Sequence, residues 1–292
     1  MARFQGTITA LITPFRDGEV DFQALEQLVE RQIEAGVDGL VPCGTTGESP
    51  TLLGEEHARV IECVIRVASK RVPVIAGTGS NSTAHAVELS RHAAEAGADG
   101  LLIVSPYYNK PTQAGLYEHF STVAKAVKVP IVLYNIPGRT GVEIAIPTIR
   151  LLYEEHDNVV AVKHATGQVG DAAELLQVCE IDVLSGDDPL TLPLMSIGAV
   201  GVISVLSNLA PRMVTRLTRA MLANDLEEAR SAHRAMFPLA KALLSLETNP
   251  IPIKTALAMK GLCAEEFRLP LCPLAPENRL KLEALLGECK IE

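Results

Sequence analysis

The chain has 292 residues, of which 48% are hydrophobic, and its formal net charge at pH 7 is -9. This length suits one large α/β barrel or two ordinary domains, with enough apolar residues for a sizeable core. Because the balance of charge is acidic and no run of lysine or arginine stands out, nucleic acid and anionic membranes are unfavourable partners.

The cysteines point to a reducing compartment. None forms a CxxC pair, and a chain of this size does not need a disulfide framework, so we expect free thiols in a cytoplasmic protein. The first six residues lack an apolar signal segment, and no apolar run approaches the roughly 20 residues that cross a membrane. The six cysteines are Cys43, Cys63, Cys179, Cys263, Cys272 and Cys289.

Eight short apolar segments, most of them followed by glycine and small polar residues, predict eight β-strands separated by amphipathic helices. The strands are predicted near residues 7–13, 38–42, 72–77, 100–104, 130–135, 159–163, 182–185 and 200–204. The first helix has Asp21 as its predicted N-cap. Alternating βα units predict a parallel (β/α)8 TIM barrel, with an open doubly wound sheet as the alternative. The barrel is favoured because an open sheet would concentrate the glycine-rich tips at one switch point.

The last quarter of the chain predicts further helices. The eighth barrel helix is expected to end near residue 224, which gives a barrel over residues 1–224 and a helical extension over residues 225–292, packed on the barrel. Turns at Asn249-Pro250 and Leu269-Pro270 interrupt the helical pattern of the extension. Lys254 follows the first of these turns, and a structural role away from the barrel mouth is expected for it.

Lys163 is the most informative residue of the chain. It ends the apolar run VVAVK at residues 159–163, and His164 and Ala165 begin the loop that follows. A lysine in an apolar barrel mouth is desolvated, which disfavours the ammonium form and leaves a free amine that attacks a ketone. The preceding strand ends at Tyr134, so a nucleophile and a proton carrier are predicted side by side. Lys163 could instead bind an acid as a cation, and Tyr134 could be a core tyrosine.

The other strand tips carry candidate binding groups. Arg139, between glycines in a turn, is placed to hold a carboxylate. The GTTGE segment at residues 44–48 is a strand-to-helix turn or a phosphate nest, and it lacks the GK[ST] of a P-loop. Tyr107 and Tyr108 could be a packing pair or an interface patch. Asp187 and Asp188 could suggest a cation site, but no other ligand type clusters with them by spacing.

The seven histidines show no metal-binding spacing, and we expect most of them on exposed helix faces. The histidine spacing therefore predicts no metal site.

Four motifs together carry a resemblance to a known family. They are GTTGE at residues 44–48, PYYN at 106–109, YNIPGRTG at 134–141 and KHATG at 163–167. The chain resembles the dihydrodipicolinate synthase family, in the pyruvate-dependent class I aldolase superfamily that also contains N-acetylneuraminate lyase. The match extends from GTITALITPF at residues 6–15 to NPIPIK at 249–254.

The resemblance implies a lyase that condenses pyruvate with aspartate 4-semialdehyde. Lys163 would form the Schiff base, and Thr45 and Thr46 would hold the carboxylate of pyruvate. Tyr134 would pass protons through Thr45 to Tyr108, which in the family arrives from a neighbouring subunit.

The remaining implied positions concern the second substrate, assembly and regulation. Arg139 would anchor the second substrate, with Gly186 and Ile203 also in the substrate site. The family is usually a homotetramer built from tight dimers, and it needs no metal or organic cofactor.

Lysine-inhibited members bind lysine at positions that correspond here to Ser49, Pro50, Gly54, His57, Asn81, His85 and Tyr107. Gly54 and His85 replace a histidine and a glutamate of sensitive bacterial enzymes, so weak or absent lysine inhibition is expected.

Two alternatives stay open at this point. A 2-keto-3-deoxy sugar acid aldolase or an N-acetylneuraminate lyase would keep Lys163 and Tyr134 but need a roomier pocket. A catalytically silent barrel that binds a small acid belongs to a different class, and the joint presence of Lys163, Tyr134, Thr45 and Tyr108 argues against it.

Overall fold

The protein forms a closed barrel of eight parallel strands surrounded by helices. A computed structural model describes residues 3–289. The barrel strands are β1 Gly6–Ala10, β2 Gly39–Val41, β3 Ile75–Gly77, β4 Gly100–Val104, β5 Ile131–Asn135, β6 Val159–His164, β7 Asp182–Ser185 and β8 Gly201–Ser204. Their hydrogen-bonded order is β2-β1-β8-β7-β6-β5-β4-β3. A parallel bridge between Leu40 and Val74 joins β2 to β3 and closes the ring. The predicted TIM barrel is confirmed, and the open doubly wound sheet is wrong.

Helices cover the outside of the barrel and form the C-terminal part of the chain. They are α1 Phe22–Glu34, α2 Gly54–Ala68, α3 Thr83–Glu95, α4 Gln113–Ala126, the short α5 Pro137–Thr140, α6 Ile146–Glu155, α7 Val169–Val178, α8 Thr191–Ser196, α9 Pro211–Leu222, α10 Leu226–Ser245, α11 Ile251–Met259 and α12 Pro276–Glu288. Asp21 caps α1 as predicted, since its carboxylate accepts a hydrogen bond of 3.0 Å from the backbone N–H of Ala24.

Some strands are shorter than the apolar runs that predict them. The first apolar run was predicted to be a strand over residues 7–13, but β1 ends at Ala10. The third was predicted over residues 72–77, but β3 begins at Ile75, two residues after Pro73. Apolar residues beyond a strand remain buried in the loops, so hydrophobicity alone does not mark where pairing stops.

Two buried layers follow from the alternation of side chains along each strand. One set of alternate residues fills the barrel interior, and the other packs under the helices. The interior set comprises Ile8, Val41, Ile75, Leu102, Val132, Tyr134, Ala161, Leu184 and Ile203, together with Phe4 and Ala10. A filled interior means that a substrate can enter only at a rim and not through the barrel axis.

The helices after α9 pack on the barrel and on one another. Helix α10 packs against α9, and α11 contacts the 3₁₀ turn Leu206–Asn208 that follows β8. Lys254 of α11 is completely buried and lies against the loop after β2, so the expectation that it sits away from the barrel mouth is wrong. The reason is that the extension folds back over the rim that carries the strand tips.

The histidines differ from the sequence expectation, because four of them are buried: His57, His119, His156 and His164. Their ring nitrogens bond to internal groups. His57 Nε2 donates to the carbonyl oxygen of Gly77 at 2.9 Å, and the His156 ring bonds to the Ser121 hydroxyl at 2.7 Å. A histidine that finds such partners can be buried on the inner face of a helix.

Over residues 3–289, no cluster of histidine, cysteine or carboxylate side chains could hold a metal ion. None of the helices described has the length and apolar character of a membrane span.

His119 should make part of the stability of this protein depend on pH. Burial lowers its pKa to about 4, whereas an unfolded histidine titrates near pH 6.5. Between these values the unfolded chain binds the extra proton, so the stabilisation is complete above pH 6.5 and is lost as pH falls towards 4. For one such residue the loss between pH 7 and pH 5 is about 2 kcal/mol.

The variant His119→Gln should therefore lose less stability than the parent between pH 7 and pH 5, by about 2 kcal/mol. Urea unfolding at the two pH values measures this difference. His92→Gln, at a half-buried position of α3, is the control for the substitution itself. Equal losses in the parent and in His119→Gln would contradict the assignment.

Candidate active site

The ends of β5 and β6 bring Lys163 and Tyr134 together. The two residues are register partners in the parallel ladder, and both are buried, at 5% and 4% exposure. The Lys163 amine lies 4.2 Å from the centroid of the Tyr134 ring. Within residues 3–289 no carboxylate forms an ion pair with this amine. Buried beside an aromatic ring, the amine has a geometry that suits a nucleophile.

The tips of β7 and β8 form the wall behind the lysine. A Cβ at Gly186 would lie 3.1 Å from Lys163 Cε and 2.7 Å from Ala165 Cβ. A side chain at this position would press on the lysine stem, so Gly186 keeps the space that Lys163 needs. The side chain of Ile203 lies inside the barrel with Tyr134, below this rim.

Asp188 is a buried carboxylate that the sequence analysis considered only as part of a cation site. Its oxygens accept hydrogen bonds from the Ser204 hydroxyl at 2.5 Å and from the backbone N–H groups of Val205 and Leu206 at 2.9 and 3.0 Å. Burial raises the pKa of Asp188, while these hydrogen bonds and the nearby charge of Lys163 oppose that change. Asp188 therefore fixes the loop after β8. Burial and the neighbouring Asp188 together raise the pKa of Asp187 to about 6.

The loop after β2 presents Thr45 and Thr46. Thr45 is half-buried, and Thr46 is buried with its hydroxyl accepting a hydrogen bond of 3.0 Å from the Asn249 side-chain amide. The loop folds on itself, with Gly47 N–H donating to Gly44 O and Glu48 N–H donating to Thr45 O, both at 3.1 Å. These bonds fix the backbone of the loop and the Thr46 hydroxyl at the rim.

A cavity of about 380 Å³ opens beside these residues. Of the predicted catalytic and substrate-binding residues, Thr45, Tyr134 and Arg139 line it. Lys163 lies against the Tyr134 ring, which forms part of the wall. The guanidinium of Arg139 donates to the backbone oxygen of Asn249 at 3.0 Å, which holds this cation at the cavity edge. The cavity thus offers a small acid the Thr45 side chain, the Tyr134 ring and the Arg139 guanidinium. Lys163, Thr46, Gly186 and Ile203 are not among its lining residues, and the Lys163 amine meets it only through the Tyr134 ring.

Tyr108 is not brought into the cavity of its own chain. It is 88% exposed, with a left-handed backbone φ of 74°, and Tyr107 lines the cavity instead. Left-handed backbone is unfavourable for a tyrosine and turns the two neighbouring rings in different directions. The position of Tyr108 leaves a large aromatic surface outside the single chain.

The positions that correspond to a lysine site are mostly gathered along the same cavity. Six of them line it: Ser49, Pro50, Gly54, His57, His85 and Tyr107. Asn81 does not, and its backbone oxygen accepts a hydrogen bond of 2.8 Å from Asn109. Burial lowers the pKa of His57 to about 4, so this ring is neutral at pH 7. His85 lies on the rim beside Glu88, at 3.3 Å.

Sequence reasoning missed three residues that hold the site from the extension and the β2 loop. Asn249 bonds both Thr46 and Arg139, as described above. Lys254 forms an ion pair with Glu48, with both side chains completely buried. The NPIPIK and GTTGE segments were both noted as motifs, but nothing in the sequence indicates that they are in contact.

The chain is similar to known proteins over nearly its whole length. The model of the dihydrodipicolinate synthetase family matches residues 3–289. A curated relative from Pelobacter propionicus, named 4-hydroxy-tetrahydrodipicolinate synthase, is 56% identical over 285 residues, which are 97% of this chain and 98% of that protein. The crystal structure of dihydrodipicolinate synthase from Aquifex aeolicus superposes with a TM-score of 0.96 at 53% identity, covering 98% of both chains.

A further solved structure is the chloride-inhibited dihydrodipicolinate synthase of Acinetobacter baumannii, complexed with pyruvate. Its TM-score is 0.96 at 46% identity, and the match covers 99% of this chain and 100% of that one. A family model and relatives that match nearly the whole length leave one conclusion. The chain belongs to the dihydrodipicolinate synthetase family.

Proposed function

We propose that Lys163 is the residue through which this chain condenses pyruvate with L-aspartate 4-semialdehyde. The chain is an aldolase-type lyase of lysine and diaminopimelate biosynthesis, and its product is 4-hydroxy-tetrahydrodipicolinate. The observation that carries the assignment is the buried Lys163 amine against the Tyr134 ring, with no ion-pair partner among residues 3–289.

The chemistry begins with attack of the neutral amine on the ketone carbon of pyruvate. Water leaves and an imine forms, whose protonated nitrogen acts as an electron sink. A proton then leaves the methyl group, and the resulting enamine carbon attacks the aldehyde of the second substrate. Finally the amine of that substrate displaces Lys163 as the ring closes, which regenerates the free lysine.

Proton transfer in these steps is assigned to Tyr134, Thr45 and Tyr108. Tyr134 lies beside the reacting nitrogen, and Thr45 lines the same cavity. The exposure of Tyr108 fits a residue that enters the site of a neighbouring subunit, and so we propose a homo-oligomer, a tetramer built as a dimer of dimers.

We assign residues 1–224 to the catalytic barrel and residues 225–292 to a helical extension packed on it, and we place the protein in the cytoplasm.

The remaining site residues position the substrates. Thr46 joins Thr45 in holding the pyruvate carboxylate, and Arg139 holds the carboxylate of the semialdehyde through charge-assisted hydrogen bonds. Gly186 leaves room for the lysine stem, and Ile203 closes the floor below the rim. None of these steps requires a metal or an organic cofactor.

Reductive trapping tests the nucleophile. Incubation with pyruvate and borohydride should add one reduced pyruvate to the parent, and peptide mapping should locate the addition at Lys163. The variant Lys163→Ala should show no stable increase in mass and no turnover. Addition at another lysine, or none in the parent, would contradict the assignment.

The variant Tyr134→Phe tests the proton relay. Because it removes only the hydroxyl, kcat should fall by about 100-fold or more. The melting temperature should change little, since no hydrogen bond of this hydroxyl within residues 3–289 is lost. Steady-state kinetics and thermal unfolding measure the two effects, and an unchanged kcat would remove the relay role.

Lysine should inhibit this protein weakly or not at all. When the ammonium group of a bound lysine lacks a carboxylate partner, its binding free energy is less favourable by about a few kcal/mol. His85 cannot supply that carboxylate. Half-inhibition should therefore require lysine at millimolar concentration or above. The double variant Gly54→His/His85→Glu should become more sensitive, whereas half-inhibition of the parent well below millimolar would show the expectation to be wrong.

A further inference from the structure

The ion pair between Glu48 and Lys254 is isolated from solvent. Both side chains are 0% exposed, and the Lys254 amine lies 2.5 Å from a carboxylate oxygen of Glu48. The same amine lies 4.0 Å from the centroid of the Phe15 ring and 5.3 Å from that of Phe267. Aromatic rings and one carboxylate thus surround the ammonium group.

A buried pair of this kind is a poor source of stability. Removing two charges from water costs several kcal/mol each, and their attraction repays this only with good geometry and further hydrogen bonds. The pair is therefore better explained by the arrangement that it fixes. Glu48 has a left-handed φ of 53°, which is uncommon for a residue with a side chain.

Two hydrogen bonds connect the region around this ion pair to Thr45 and Thr46. The backbone N–H of Glu48 donates to the backbone oxygen of Thr45 at 3.1 Å, which closes the turn that carries the two threonines. Just before α11, the side-chain amide of Asn249 donates to the Thr46 hydroxyl at 3.0 Å. The end of the extension that bears Asn249 and Lys254 therefore holds the segment from Thr46 to Glu48 at both ends.

The second carboxylate oxygen of Glu48 is also occupied. It accepts a hydrogen bond of 3.2 Å from the backbone N–H of Arg268, and the Arg268 side chain binds Glu56 of α2. Glu48 cannot turn away from Lys254 without breaking this second contact. The loop after β2 is thus locked to the extension and not only to the barrel.

We propose that the Glu48–Lys254 pair is a positioning device that holds Thr45 and Thr46 where they bind the carboxylate of the keto acid. The inference rests on the proposed function, because it assigns that carboxylate to the two threonines. It implies that loss of either charge weakens pyruvate binding more than it slows turnover.

Each single substitution weakens pyruvate binding because it leaves one buried charge without its partner. Lys254→Met leaves the Glu48 carboxylate buried without its cation, and Glu48→Gln leaves the ammonium without its anion. In each case the loop must shift to bring the remaining charge to water or to a new partner. The double variant Glu48→Gln/Lys254→Met removes both charges and should need a smaller shift.

The experiment compares steady-state kinetics and reductive trapping across these three variants. Each single variant should raise the KM for pyruvate by about tenfold, and the double variant by about threefold, with kcat within about threefold of the parent. Borohydride with saturating pyruvate should still modify Lys163 fully in every variant. Trapping over a range of pyruvate concentrations should show the same shift in apparent affinity.

Arg279→Met is the matched control, because Arg279 forms an ion pair with Glu265 within the extension but does not reach the β2 loop. Its KM for pyruvate should match that of the parent. Folded single variants with an unchanged KM, or a rise in KM equal to that in Arg279→Met, would overturn the proposal. If the single variants do not fold, the double variant decides: an unchanged KM overturns the proposal, and a raised KM supports it.

Failure of this inference differs from failure of the proposed function. If the parent itself is not modified at Lys163 by pyruvate and borohydride, the Schiff-base assignment is wrong. If the parent is modified and the charge variants keep its pyruvate affinity, only the positioning role of the pair is wrong.

Discussion

The structure depends on one constraint, the burial of the Lys163 amine at the rim of a closed barrel. Parallel closure brings the carboxyl ends of all eight strands to one side, so residues far apart in the chain meet there. The amine is buried at that rim beside the Tyr134 ring, and Gly186 leaves the space that its stem occupies. In the proposed function, the other site residues position substrate groups relative to this nitrogen.

The C-terminal extension takes part in building the site. Asn249 bonds to Thr46 and Arg139, so one residue of the extension connects the groups assigned to the two substrates. Glu48 and Lys254 join the same loop to α11 through a buried ion pair. Without these contacts the loop after β2 would lose its bonds to the extension and keep only those to the barrel, such as the hydrogen bond of 2.7 Å from the Thr13 hydroxyl to the Gly47 oxygen.

Much of the fold could be predicted because strand tips repeat a simple pattern. The adjacency of Lys163 and Tyr134 followed from two consecutive βα units, which a parallel barrel places side by side. Contacts that join distant segments could not be predicted in this way, because a pattern of hydrophobicity has no information on long-range partners. The Glu48–Lys254 pair is the main example, since Lys254 was expected to lie away from the mouth.

The histidines and Tyr108 show two other limits of sequence reasoning. Most of the histidines were expected on exposed helix faces, but internal hydrogen bonds allow His57 and His156, among others, to be buried. Tyr108 was recognised from its motif, yet the single chain leaves it exposed, and the role proposed for it requires a neighbouring subunit. Burial of a polar residue is decided by partners that only the folded structure identifies.

A crystal structure of the protein soaked with pyruvate tests the central claim most directly. The account predicts continuous electron density from Lys163 Nζ to the former ketone carbon of pyruvate, with the carboxylate beside Thr45 and Thr46. Intact pyruvate in the cavity beside an unmodified Lys163 whose amine points to bulk solvent would contradict it.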